Sequence, residues 1–126
     1  MKPKFILSFA SIYLALVGLG LLIAPTYMVL DLETGSSPLL ISQLRAMSDV
    51  FIGIAVLNWA ARNAEASKAR DAIFLGNIVG FCLSVILGIN VSIVGGSMVS
   101  YTYTATSLFC AISFILVGRA NMSSAT

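Results

Sequence analysis

Residues 72–94 read AIFLGNIVGFCLSVILGINVSIV, with no Asp, Glu, Lys or Arg anywhere in the stretch. A helix needs about 20 mostly apolar residues to cross the hydrocarbon core of a bilayer, and this run is long enough. It does not alternate apolar and polar residues with period two for any length, so a strand is the poorer reading. Val94-Gly95-Gly96-Ser97 then forms a short uncharged turn, and a second apolar run follows from about Val99 to Gly118. So short a connection forces the two runs into an antiparallel helical hairpin.

Upstream, a second hairpin reads in the same way. One span covers about Leu39 to Ala61, with Ser37 placed to cap its first turn and Pro38 at the first helical position, where no backbone donor is lost. The first span covers Phe5 to Ala24 and stops at Pro25. Lys2 and Lys4 ahead of an apolar run also resemble a signal peptide. However, the run is longer than a typical signal core, and Ile23-Ala24-Pro25 offers no small-residue cleavage site, so a retained helix is expected. Between these spans, Pro25 to Ser37 is expected to lay Tyr27, Val29, Leu30 and Leu32 on the outer interface before Thr34-Gly35-Ser36-Ser37 turns the chain. The tail Asn121 to Thr126 is small and polar and is expected to fray.

Composition agrees with the four spans. Of 126 residues, 59% are hydrophobic and 10% charged, against about 25% charged in soluble domains, and the mean hydropathy is +1.01. A soluble domain this small leaves too much of its chain exposed to hide that much apolar surface. The net charge of +2 is too small for a nucleic-acid footprint. His is absent, which removes His-ligated haem, His-based zinc sites and the commonest general base. Cys82 and Cys110 lie in separate apolar runs and form no CxxC motif, so buried inert thiols are expected. No metal set, catalytic constellation or specific cofactor is legible.

Basic residues set the expected orientation. Lys2, Lys4, Arg62, Lys68, Arg70 and Arg119 fall on one side of the spans. The first loop has no Lys or Arg and holds Asp31 and Glu33, and the third loop is uncharged. Both termini are therefore expected on the cytoplasmic side. The fold expected for residues 1–126 is one all-α domain, an integral membrane four-helix bundle with spans of about 5–24, 39–61, 72–94 and 99–118. Trp59 beside Arg62 reads as an interface anchor. Arg62, Lys68 and Arg70 can meet anionic lipid heads, diluted by Glu65 and Asp71.

Helices associate in lipid through close packing, so small residues mark contact faces. Gly76, Gly80, Ser84, Gly88 and Ser92 recur every four residues on the third span, with Gly96 continuing the spacing. Ser8, Ser11, Ala15 and Gly18 share a face on the first span, as do Thr106, Cys110 and Ser113 on the fourth. The third-span ridge serves either packing within the chain or a partner helix. Gly76 to Gly80 is no nucleotide loop, because it lies inside an apolar helix.

The costly feature is Arg45 and Asp49, one turn apart in the second span with Ser42 and Ser48 flanking them. At about 1.5 Å per residue from Leu39, Arg45 lies roughly 9 Å and Asp49 roughly 15 Å below the outer edge. Each such charge costs about 2.5–3.5 kcal/mol near a helix centre, while each Leu, Ile, Val or Phe returns only about 0.3–0.6. Two readings follow. In one, the two residues form an internal ion pair that fixes helix rotation, and Tyr101 and Tyr103 are interfacial belt residues. In the other, they head a polar pocket in the outer half, with Arg45 as anion anchor, Asp49 as its orienting partner, and Asn90, Tyr101 and Tyr103 nearby. Asn58 and Asn77 lie toward the inner ends of their spans, away from that cluster.

The four-span layout is similar to that of small multidrug-resistance transporters, but their acidic residue sits in the first helix, and here that helix has none. Disulfide-generating quinone reductases need cysteine pairs, and four-helix cytochromes need histidines; both are lacking. The first helix ending at Pro25, Leu44-Arg45 early in the second span, Gly53 in its middle, Trp59-Ala60-Ala61-Arg62-Asn63 at its inner end and a Gly-rich third helix resemble the DoxX-like group of bacterial membrane proteins. That resemblance implies a bacterial cytoplasmic (inner) membrane and carries over no catalytic residue. The expected function is a non-catalytic accessory subunit of a larger membrane assembly, or a self-associating bundle. Its expected partners are lipid and either other membrane subunits or copies of itself. The alternative is an oligomeric transporter or binder of an amphipathic or anionic molecule around Arg45 and Asp49. An intramembrane enzyme is disfavoured because no nucleophile–base pair is visible.

Overall fold

A computed structural model of the chain describes residues 2–28, 37–95 and 97–121. Among these residues there is no strand. Four long helices, α1 (Pro3–Ile23), α3 (Pro38–Ala61), α4 (Lys68–Val94) and α5 (Met98–Asn121), are joined by short connections, with a single turn, α2 (Pro25–Met28), after the first. All four long helices are long and apolar enough to cross a membrane. The expectations for Val29, Leu30, Asp31, Leu32, Glu33, Thr34, Gly35, Ser36 and Gly96 fall outside the described residues.

The helix ends follow local chemistry. Pro3 and Pro38 open α1 and α3, where a missing backbone donor costs nothing. The Ser37 hydroxyl accepts from the Leu40 amide at 3.2 Å. At α4 the Ser67 hydroxyl accepts from the Arg70 amide at 3.3 Å, and Asp71 places negative charge in the first turn. Gly95 closes α4 with φ of 111°, a left-handed conformation that suits glycine. Pro25 ends α1, and α2 folds back so that the Met28 sulfur lies where a side chain on Gly20 would be.

Two helices run beyond their expected limits. α4 begins at Lys68 rather than near Ala72, since Ser67 is the capping residue. At 27 residues and about 1.5 Å per residue it is roughly 40 Å long. α5 continues to Asn121, so the expected fraying does not begin there. The Asn121 carbonyl accepts from the Arg70 guanidinium at 3.0 Å, and its amide donates to Val117 O at 2.9 Å. Residues 122–126 fall outside the described residues.

The helices pack as two antiparallel pairs, α1 with α3 and α4 with α5, and α1 also meets α5. This gives the spatial order α3–α1–α5–α4. Each pair closes through small residues. A Cβ on Gly18 would stand 2.7 Å from the Ile52 side chain, and the Ser11 hydroxyl donates to Ala55 O at 2.6 Å, which brings α1 against α3. On α4, the Thr104 side chain of α5 occupies the space a Cβ on Gly88 would need. The core draws Ile6, Leu7, Ala10 and Leu14 from α1, Ala55 and Ala61 from α3, Phe74 and Phe81 from α4, and Cys110, Ala111, Phe114 and Val117 from α5. Nearly all of it lies in the half of the bundle where α1 begins and α5 finishes. Phe74 meets Phe114 edge-on at 5.4 Å and Phe81 stacks on Phe114 at 5.8 Å. Tyr13 and then Tyr103 carry the row of rings toward the other end.

Candidate functional site

α3 and α4 do not close on each other along their length as a compact bundle would require; they meet sparingly. What joins them is a pair of amides. The Asn58 Nδ2 donates to Asn77 Oδ1 at 2.9 Å, and the Asn77 Nδ2 donates to Asn58 Oδ1 at 2.7 Å and to Ile73 O at 2.8 Å. Asn58 is fully buried and Asn77 nearly so. A reciprocal amide pair satisfies both carbonyls and one donor of each group, which is what allows two polar side chains into an apolar interior.

Around this pair α3 and α4 leave a cleft of about 500 Å³. Its walls are apolar, from Leu14, Val50, Ile54, Leu57 and Phe81, and Gly76 and Gly80 flatten the α4 side. Neither glycine has any atom within 4 Å of the position a Cβ would take. A second cavity of about 620 Å³ opens between the helix pairs at the end away from the core, bounded by Val17, Leu21, Met47, Phe51, Leu87 and Val91. Phe51 and Tyr103 border both spaces. The Tyr103 hydroxyl donates to Ser84 Oγ at 3.2 Å, and its ring lies 6.3 Å from that of Tyr13. Farther in, the Tyr13 hydroxyl turns toward Ser107. Neither oxygen meets a partner at full hydrogen-bonding geometry among the described residues.

The five residues expected to form an outer polar pocket are not brought together. Arg45 and Asp49 are exposed on α3, Asn90 is exposed on α4, and Tyr101 is 46% exposed on α5. Of the five, Tyr103 lines both cavities. Nor do Arg45 and Asp49 form an internal ion pair: among the described residues neither side chain has a hydrogen-bond or ion-pair partner. The physical cause is the rotation of α3. Its contacts with α1 and the core run through Ser48, Phe51, Ile52, Ala55 and Asn58, which turns the face bearing Arg45 and Asp49 outward.

The third-span ridge divides. Gly88 packs against Thr104 and Ser84 meets Tyr103, whereas Gly76 and Gly80 stand open to the cleft. The hydroxyls along α4 and α5 satisfy themselves: Ser84, Ser92, Thr102, Thr104 and Thr106 each donate to a carbonyl one turn back. This makes them tolerable in an apolar setting. Trp59 is half exposed with the Arg62 guanidinium 3.6 Å over its ring, and Arg62 also donates to Trp59 O, as suits a residue at a water boundary. Cys82 and Cys110 are free thiols. Among the described residues no three His, Cys, Asp or Glu side chains gather to hold a metal. The arrangement can admit an apolar chain or helix and can anchor helices through amides.

The residues that sequence reasoning passed over are Asn58, Asn77 and Tyr13. A signal for the first two exists. Asn58 is three residues from the end of its apolar run and Asn77 five from the start of the next, so antiparallel helices carry them at similar depth. The chain matches no protein-family model, no curated protein and no solved structure.

Proposed function

We propose that this chain is a four-span integral protein of the bacterial cytoplasmic membrane, with both termini on the cytoplasmic side, that works as a non-catalytic subunit of a membrane assembly. One observation carries the reading. Arg45 and Asp49 are exposed near the middle of an apolar helix and lack partners among the described residues. In lipid a charge near the helix centre costs about 2.5–3.5 kcal/mol, and Asp49, with its short side chain, cannot reach the interface to escape that cost as Arg45 can. A protein surface that pairs them removes that cost. The apolar exterior of all four helices supports the membrane, and the asymmetric distribution of basic residues supports the orientation.

Native mass spectrometry after gentle extraction from the source membrane tests the reading. Particles with a constant stoichiometry above one copy are the expected result. A lone monomer bearing only lipid would refute it. The second cavity favours one other reading, a binder of an amphipathic molecule, because its apolar walls end at Ser100, Thr102 and Tyr103. A defined small molecule retained on an otherwise monomeric chain would select that reading.

A further inference from the structure

Ser42, Ala46, Asp49, Gly53, Val56 and Ala60 are all exposed. They follow one another at alternating intervals of four and three residues, the spacing that holds one seam of a helix against a partner in a left-handed coiled coil. The seam lies about a third of a turn round α3 from Ser48, Ile52 and Ala55, which take up the contacts with α1. Four of its six residues are Ser, Ala or Gly, and nothing lies within 4 Å of the position a Cβ on Gly53 would occupy. Another helix can therefore approach closely along its whole length. Asp49 sits within the seam and Arg45 at its margin.

We propose that a second copy of this chain docks here, α3 against α3 about a two-fold axis along the membrane normal, with Arg45 of each copy paired to Asp49 of the other. The inference rests on the membrane reading above and names the partner it requires. Charge complementarity selects the occupant. Two copies inserted in the same orientation bring identical residues to the same depth, and Arg45 then stands about 6 Å along the axis from the opposing Asp49. A long, forked guanidinium spans that offset. The symmetry makes both pairs at once and leaves the interface with no net charge, so no unlike partner is needed.

Two differently tagged full-length copies, co-expressed in a bacterial membrane, provide the test. Arg45→Asp alone sets only acids at the interface, and Asp49→Arg alone sets only bases. Each variant should capture its own kind about tenfold less than the wild type does, while the mixture of the two should return to within about twofold, because every pair is then opposite in charge. Undiminished self-capture of either variant, or a mixture no better than its parts, would overturn the proposal.

Two further measurements keep the outcome interpretable if the charge variants insert poorly. In a Cys82→Ser/Cys110→Ala background, Gly53→Cys and Ala60→Cys should cross-link between copies in the membrane. Leu116→Cys, on the exposed side of α5, should not. Equal cross-linking at all three, or capture of a different polypeptide by the seam cysteines in place of a second copy, would also overturn it. Carbonate extraction of the wild-type chain separates the two levels: a chain released by carbonate refutes the membrane reading itself, whereas a carbonate-resistant chain that does not self-associate refutes the dimer alone.

Discussion

Replacing Asn77 by Leu leaves the fully buried amide of Asn58 without its partner. The wild-type pair has two interhelical hydrogen bonds, each worth about 0.6 kcal/mol on average and up to about 1.7 inside a membrane. The orphaned amide adds a desolvation penalty of about 1–3 kcal/mol. Asn77→Leu, and equally Asn58→Leu, should therefore destabilise the bundle by about 2–4 kcal/mol. The double variant removes both polar groups together and leaves nothing orphaned, so it should cost no more than about 1.5 kcal/mol. The coupling is then about 2 kcal/mol or more and opposite in sign to the single losses. Reversible unfolding in bicelles, followed by steric trapping, measures all four forms. Single variants within about 0.5 kcal/mol of wild type, or a double variant equal to the sum of the singles, would refute the account of the amide pair as the link between α3 and α4.

Other positions give contrasting outcomes. Gly18→Val drives a side chain into Ile52 and should cost about 1–3 kcal/mol in the same unfolding assay, whereas Gly80→Ala, facing open space, should change stability by less than about 0.5. Phe114→Ala removes a fully buried ring from the centre of the aromatic row and should cost about 3–5 kcal/mol. Single cysteines at Glu65 and Ser97, in a chain freed of its own thiols, should react with a membrane-impermeant maleimide from opposite faces, Ser97 from outside and Glu65 only after the cytoplasmic face is opened. Labelling of both from one side would refute the four-span topology.

The sequence makes depth legible and leaves rotation hidden. Apolar run lengths place all four long helices, and Ser37-Pro38 and Gly95 mark ends that the structure keeps. Along a helix the position of a residue is arithmetic, so Asn58 and Asn77 can be seen to share a level. Which way each residue faces is another matter, because these helices are apolar on nearly every side and present no single polar stripe. The rotation of α3 depends on Gly18 admitting Ile52 and Ser11 reaching Ala55, contacts between residues more than thirty apart in the chain. That is why the sequence leaves Arg45 and Asp49 open to both an internal pair and a pocket, and why neither arrangement is the one found. The Gly76 to Gly88 ridge has one spacing throughout, yet α5 fills it only at the Gly88 end, where Thr104 fits.

The uneven placement of the core has a mechanical consequence. Phe74, Phe81, Phe114 and the Asn58–Asn77 pair hold the two helix pairs together at one end of the molecule, whereas toward the opposite end the close contacts, Gly18 against Ile52 and Gly88 against Thr104, lie within each pair. From Asn58 to Pro38 α3 extends about 30 Å, packed on α1 as one unit. A rotation of about 5° of one helix pair against the other at the amides would therefore part their far ends by roughly 2–3 Å, half the pitch of a helix. The two arms are the helix pairs, joined by aromatic rings and amides at one end and facing each other across the second cavity at the other.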